Sequence, residues 1–435
     1  MAVDLAEVHL WGTVIAVITW DNQRQVCQFQ YTPEFLSFGI EVAPLTMPLQ
    51  EAPYSFPSLN KETFKGLPGV LADCLPDKFG TALINQWLIR QNRVPNSFTP
   101  VERLCYTGTR SMGALEFSPS PMKNDKKSEQ APLEIQTLVE LASEVLSERN
   151  YEMISAGLGS DELNHIFQVG TSAGGARAKA IINWNESTGE IRPGHVAPVK
   201  GFDSWLIKFD GVSGNKDKEL NDPQGFGRIE YAYHLLAKAV GLNMSECRLI
   251  EECGRAHFIT KRFDRHDGRK VHKASLCGIA HLDFNDNLSN SYEDALFTAK
   301  QLGVPKEDVE QLVRLMIFNV VFRNQDDHTK NIEFLMNRSG MWFVAPAFDL
   351  TFSYNPAGEW TSQHQMSINS KRDDFVVADL LVTAKVSGLS VRKIKGIIKD
   401  VMAGKKEWLS LSQEAGIPNN EALRIESLFR HLEGL

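Results

Sequence analysis

The chain has 435 residues, 43% apolar and 23% charged, the composition of a folded globular protein long enough for two or three domains. With 54 acidic against 46 basic residues its formal charge is −8, so no overall field draws it to nucleic acid or an anionic membrane. The opening Met1–Glu7 has no basic and apolar leader, and no apolar run approaches the ~20 residues of a membrane span. Cys27, Cys74, Cys105, Cys247, Cys253 and Cys277 lack the paired spacing of zinc sites or of a small disulfide scaffold. A cytoplasmic protein with reduced thiols and no membrane partner is expected.

Residues 8–31 alternate apolar and polar positions around Asp21-Asn22 and predict a β-hairpin. Leu83, Ile84, Trp87 and Leu88 recur at helical spacing within Phe79–Asn92, and Met112–Phe117 reads as a closing strand. Residues 1–118 are therefore expected to form a small α+β subdomain, and the polar, proline-bearing stretch 119–132 a linker or exposed loop. A helix is predicted over Leu133–Arg149, where Ile135, Leu138, Leu141, Ala142 and Leu146 share one face. Strands are predicted at His165–Val169, Ala180–Trp184, Ser204–Phe209 and Ala256–Thr260, with one helix over Ile229–Val240. Beyond residue 290 the pattern is helical apart from one hairpin after Asn331. The whole predicts an α+β, two-lobe protein-kinase-like fold: a β-rich lobe over 133–262 and a helical lobe over 263–435, preceded by the small subdomain. The basic runs Ser390–Lys395 and Ala403–Lys406 read as solvated surface or a local patch.

The chemistry follows the same order. Gly170–Ala180 is rich in small residues between two predicted strands, so its successive N–H groups suit phosphate oxygens; an ordinary hairpin turn has the same composition. It lacks the Gly-Lys-Ser/Thr ending of a Walker loop. Lys208, within Trp205–Phe209, faces either solvent or a charged ligand, and Glu230 opens a helix 22 residues later. A strand lysine oriented by a helix glutamate is a recurring way to hold ATP phosphates. Lys261, Arg262 and Phe263 lie where a hinge would meet adenine, although Phe263 also reads as a core aromatic.

The nearly all-apolar helix Val309–Phe322 then delivers the chain to Asn324-Gln-Asp-Asp-His-Thr-Lys-Asn331. Asp326, five residues before Asn331, can orient a hydroxyl, while Asn331 and Asp349 can offer oxygens to Mg2+. The turn Asn337-Arg-Ser-Gly should close a hairpin that brings Asn331 and Asp349 near each other. His328 and Lys330 can balance phosphate charge. Clusters of Asn and Asp also build ordinary turns; the case for a kinase is the order of glycine-rich turn, lysine, glutamate, hinge, aspartate and metal ligands.

Three segments carry a resemblance to the HipA family of serine/threonine kinase toxins: Gly170–Ala180, Asn324–Asn331 and Ala345-Pro-Ala-Phe-Asp349. Leu67–Asp77 and Tyr106–Leu115 resemble the N-terminal subdomain of its full-length members, so the likeness spans nearly the whole chain. It implies that Gly174, Gly175, Ala176, Arg177, Ala178 and Lys179 form the phosphate loop, Lys208 binds ATP phosphate, and Lys261, Arg262 and Phe263 form the adenine hinge. Asp326 would be catalytic; His328, Lys330, Asn331, Phe348 and Asp349 would contact nucleotide; Asn331 and Asp349 would ligate Mg2+. Ser172 matches the serine that family members autophosphorylate, a phosphate that would repel the nucleotide and switch the enzyme off. Ala176-Arg177 stands where other members have Ala-Gln or Val-Gln, and Ala178 where proline is common. The resemblance also implies a HipB-like helix-turn-helix antitoxin through which DNA is reached indirectly, and a protein substrate such as an aminoacyl-tRNA synthetase or another translation factor. Two other readings remain open: an aminoglycoside- or choline-type small-molecule phosphotransferase, and a silent nucleotide-binding co-repressor.

Overall fold

The computed structural model describes residues 3, 5–76, 78–121, 132–147, 178–212, 225–286 and 288–434. The predicted strand His165–Val169, the glycine-rich turn up to Arg177 and most of the stretch 119–132 lie outside them. The chain folds into two compact units, one comprising residues 1–42, 47–224 and 248–273, the other 43–46, 225–247 and 274–435.

The first unit opens with an antiparallel sheet of β1 (Leu5–Leu10), β2 (Thr13–Asp21), β3 (Val26–Tyr31) and β4 (Leu115–Ser118), in the order β3-β2-β1-β4. The run predicted as one hairpin is thus a three-stranded meander. Trp11 and Gly12 both adopt positive φ (51° and 87°), giving a two-residue turn that apolar alternation alone conceals. Asp21 Oδ1 caps the second turn by accepting the N–H groups of Gln23 (2.9 Å) and Arg24 (3.0 Å).

The second sheet of this unit contains β5 (Lys179–Trp184), β6 (Ile191–Pro193), β7 (Asp203–Lys208), β8 (Cys247–Glu252) and β9 (Arg255–Lys261), ordered β6-β5-β7-β9-β8. Its inner residues Ala180, Ile182, Trp205, Ile207 and Ile259 share one core with Ile135, Leu138, Val139 and Ala142 of the helix Ile135–Ser147, and with Leu83 of the helix Lys78–Arg90. Each fully buried aliphatic side chain there is worth about 1.5–3 kcal/mol. The N-terminal subdomain therefore shares its core with the sheet.

Two histidines of this unit are buried neutral. The Asp210 N–H donates to His257 Nδ1 (3.0 Å), and His272 Nε2 lies 3.0 Å from the Val42 carbonyl, to which it must donate. Burial lowers both imidazoles from 6.5 to about 4. The unfolded chain therefore takes up these protons first, so their stabilisation is complete above about pH 6.5 and falls away as pH drops to about 4. Urea unfolding followed across that window should show a loss on the order of 2 kcal/mol per histidine, and His272→Gln should flatten the profile.

In the second unit, the helix Phe226–Ala239, which the sequence places within the lobe 133–262, packs with the C-terminal helices. Tyr233 meets Trp408 and Phe318 edge-on at 5.6 and 6.0 Å, and a Cβ on Gly404 would approach Val240 Cγ1 to 2.3 Å. The central helix Lys306–Val321 begins with Glu307 and Asp308, which favour its N-terminal dipole. Val309, Leu312, Val313, Met316, Ile317, Val320 and Val321 are all buried, so nearly every turn is fixed by packing. The run Ser390–Lys395 opens the helix Val391–Ala403, where Ser390 Oγ caps the Lys393 N–H and Lys393 pairs with Glu310 at 2.8 Å. It is a solvated helix face. Among the described residues, no helix is long and apolar enough to cross a membrane.

Candidate active site

The segment after the central helix is shaped by its own side chains. Asn324 Nδ2 donates to Asn319 Oδ1 (2.9 Å), and Ser353 Oγ donates to Asn324 Oδ1 (3.1 Å) while accepting the Asp326 N–H (3.0 Å). A donated bond from the Ser353 N–H to the Arg323 carbonyl (3.2 Å) closes the stitch. The irregular segment that follows Asp349 is thereby fastened to the start of the loop.

Asp326 and Asp327 have opposite fates. The Asp326 side chain is 41% exposed, and its Oδ1 accepts Gln365 Nε2–H at 2.8 Å, with His328 Nε2 at 3.9 Å. Asp327 is buried: Oδ2 accepts Tyr292 O–H (2.9 Å) and His364 Nδ1–H (2.7 Å), and Oδ1 accepts the Gln365 N–H (2.8 Å). Burial alone would raise the Asp327 carboxyl, but His364 and these donors hold it below the usual carboxylate range. The Tyr292 phenol is pushed well up by burial and by Asp327. Asn319 Nδ2 completes the cluster by donating to Tyr292 Oη (2.9 Å).

Asn331 ends a short 3-10 turn, and its Nδ2 donates to the Asp326 carbonyl at 2.8 Å. A carbonyl only accepts, so the amide's orientation is forced and its oxygen is the atom that can meet a cation. That donor suits Mg2+, a hard ion that prefers oxygen and binds few protein groups. The predicted hairpin forms as Glu333–Met336 against Trp342–Val344. The Ala345 N–H donates to the Glu333 carbonyl (2.9 Å), and Asn337 Oδ1 accepts the N–H groups of Ser339 and Met341 (both 3.0 Å) in the turn. From the last rung two residues lead back to Asn331 and four forward to Asp349, whose φ of 56° is left-handed and uncommon for a residue with a side chain. Lys330 Nζ lies 4.8 Å from the Phe284 ring centroid and the His328 ring lies 5.6 Å from it, so both basic side chains pack on one aromatic.

In the first unit, Lys208 stands directly opposite Lys179 across the β5–β7 pair. Opposite residues share a face, so two positive charges stand on one face of the sheet. Lys179 is buried, Lys208 Nζ lies 5.6 Å from the Phe258 ring centroid, and Ala178 precedes β5. Gly174 to Arg177, with Ser172, lie outside the described residues. Glu230 is buried on the helix of the second unit.

At the predicted hinge, Lys261 Nζ pairs with Asp203 (2.8 Å), and the Arg262 N–H donates to the Ser204 carbonyl (2.9 Å). Arg262 forms two bonds to Asp264 (2.8 and 2.6 Å), which also accepts Arg265 Nη1–H (2.9 Å) and the Gly113 N–H (2.6 Å). The Arg262 side chain therefore ties the hinge to the N-terminal subdomain. Phe263 beside it is half-buried.

Residues 171–409 match the HipA-like C-terminal domain family, and residues 6–118 match the HipA N-terminal domain family. The chain belongs to the HipA family. The fold is similar to that of HipA from Shewanella oneidensis MR-1, solved as a toxin–antitoxin complex with HipB and operator DNA. That alignment has 16% identity and a TM-score of 0.66, and covers 97% of this chain and 95% of the other. CtkA, a proinflammatory kinase of Helicobacter pylori, aligns at 15% identity with a TM-score of 0.30, covering 51% of this chain and 92% of its own. No curated protein sequence matches significantly. The α+β, two-lobe kinase-like architecture expected from the sequence is thus the fold of this HipA-family chain.

Sequence reasoning missed Asp327, Tyr292, His364, Gln365 and Asp264. The doubled aspartate was the available signal: adjacent carboxylates rarely share one task, and one was free to be structural. Gln365 sits in an irregular segment with no periodicity to mark it.

Proposed function

We propose that the chain is an ATP- and Mg2+-dependent serine/threonine-protein kinase acting as the toxin of a toxin–antitoxin module. The observation that carries this reading is the half-exposed Asp326, held at one oxygen by Gln365 and followed within one short turn by an asparagine whose amide nitrogen is committed to the Asp326 carbonyl, so that its oxygen is the atom able to meet a cation. Bound Mg2+-ATP would supply the transferable phosphoryl group and a cation to offset its charge. Asp326 orients the acceptor hydroxyl and takes its proton. Asn331 and Asp349 would offer oxygens to the metal, and Lys208, Lys179, His328 and Lys330 would offer positive charge to phosphate. Gly174–Lys179, with Ala176-Arg177 within it, would supply the phosphate loop, and Lys261, Arg262, Phe263 and Phe348 would be the adenine-binding residues. Ser172, two residues before the phosphate loop, would be the autophosphorylation site.

In this reading residues 1–118 are the N-terminal subdomain, 119–132 a linker, 133–262 the nucleotide lobe and 263–435 the catalytic lobe of a cytoplasmic enzyme. The Shewanella assembly supports a HipB-like antitoxin as partner, with DNA reached through it. The acceptor is a translation-related protein. Purified protein incubated with Mg2+ and γ-labelled ATP should place label on Ser172 or on a protein of a cell lysate. Label only on soluble metabolites would point instead to a small-molecule phosphotransferase, and Mg2+-dependent ATP binding without product to a silent co-repressor.

A further inference from the structure

An exposed carboxylate can rotate about χ2, and a base whose oxygen wanders by about 1 Å loses on the order of 10²-fold in rate. Asp326 is fixed on one side by Gln365 Nε2, a neutral donor that sets the direction of the carboxylate without cancelling its charge. Gln365 itself is 4% exposed and is held from two directions. Its N–H donates to Asp327 Oδ1 (2.8 Å), and its carbonyl accepts from Arg372, whose Nη2 also donates to the Asn290 carbonyl (3.2 Å). The preceding residue, His364, donates Nδ1–H to the other Asp327 oxygen (2.7 Å) and meets the Phe375 ring edge-on at 5.3 Å. The backbone of Asp326 is thus fixed by Ser353 and Asn331, and its side chain by a residue standing on Asp327.

We propose that Gln365 is the positioning residue of Asp326, and that the buried Asp327–His364 pair is the anchor that holds Gln365 in place. This rests on the reading of Asp326 as the catalytic base. The doubled aspartate then has a division of labour: Asp326 meets the acceptor hydroxyl, and Asp327 fixes the loop that aims it.

The test combines kinetics with a readout that needs no turnover. Gln365→Leu should lower kcat by about 10- to 100-fold with KM for ATP within twofold, because the nucleotide site is untouched. Gln365→Glu has the native length but places a carboxylate against Asp326, and should lower kcat further. A role in packing alone predicts the reverse order. In protein labelled selectively at glutamine, the Gln365 side-chain amide resonance should be protected from exchange, and should shift in Asp326→Ala. Wild-type kcat in both variants, or an amide resonance that does not move in Asp326→Ala, overturns the proposal. If the wild type transfers no phosphoryl group, the kinase reading fails, and the amide measurement still decides whether Gln365 holds Asp326.

Discussion

Asp326→Asn is expected to lower phosphoryl transfer by about 10²- to 10⁴-fold, the contribution of a positioned general base. Asparagine keeps the size of the side chain and an oxygen able to accept Gln365 Nε2–H, so the loop geometry should persist while the capacity to take a proton is lost. The backbone contacts of Asp326 with Ser353 and Asn331 do not involve the side chain and should survive. Folding stability should move by no more than about 0.5 kcal/mol, as for a partly exposed substitution that strands no buried group. The measurement is single-turnover label transfer beside calorimetric titration of Mg2+-ATP: transfer should collapse while affinity stays within a few-fold. Equal transfer by the variant would remove Asp326 from its assigned role.

Asp264→Ala should cause the largest loss of stability. Its carboxylate is buried with Arg262 and Arg265, and accepts the Gly113 N–H from the N-terminal subdomain. Burial alone would raise this carboxyl, but the two guanidinium groups and the Gly113 donor hold it far below the ordinary carboxylate range. Truncation leaves the buried Arg262 without its carboxylate and takes one acceptor from Arg265, a loss of about 3–5 kcal/mol, which corresponds to a fall in unfolding midpoint on the order of 10 °C. Calorimetry of the full chain checks this, and Asp264→Asn, which retains an acceptor for one arginine, should lose less. Because the folded-state carboxyl is depressed, its stabilisation is present above the unfolded value of 3.8 and is lost only as pH falls through the much lower folded value. Weakening between pH 6.5 and 4 should therefore come from His257 and His272, and Asp264→Ala should shift the whole acid profile downward without changing its shape in that window.

Much of the fold was legible where one periodicity dominated. The helix predicted over Val309–Phe322 spans Lys306–Val321, and the strands predicted at Ala180–Trp184, Ser204–Phe209 and Ala256–Thr260 are β5, β7 and β9 to within two residues. The hairpin after Asn331 was legible because Asn337 and Gly340 supply the turn's side-chain acceptor and a positive φ of 81°. The Trp11-Gly12 turn was not, because a tryptophan at positive φ gives no compositional warning. The helix Phe226–Ala239 was legible as a helix, but its packing partners were not, since Tyr233 gives no sign in sequence that it will meet Trp408.

By itself the sequence determined the local chemistry: a phosphate-loop composition, a strand lysine, the Asp326–Asn331 spacing and the acidic residue after a hairpin, all of which depend on residues close in the chain. Only the tertiary structure decided which of two adjacent aspartates is buried, that Gln365 from 39 residues away touches the exposed one, and that Asp264 reaches Gly113 from 151 residues away. The physical reason is that hydrogen-bond partners of buried carboxylates are chosen by desolvation, which requires donors wherever the fold closes and leaves no period or spacing in the chain to read.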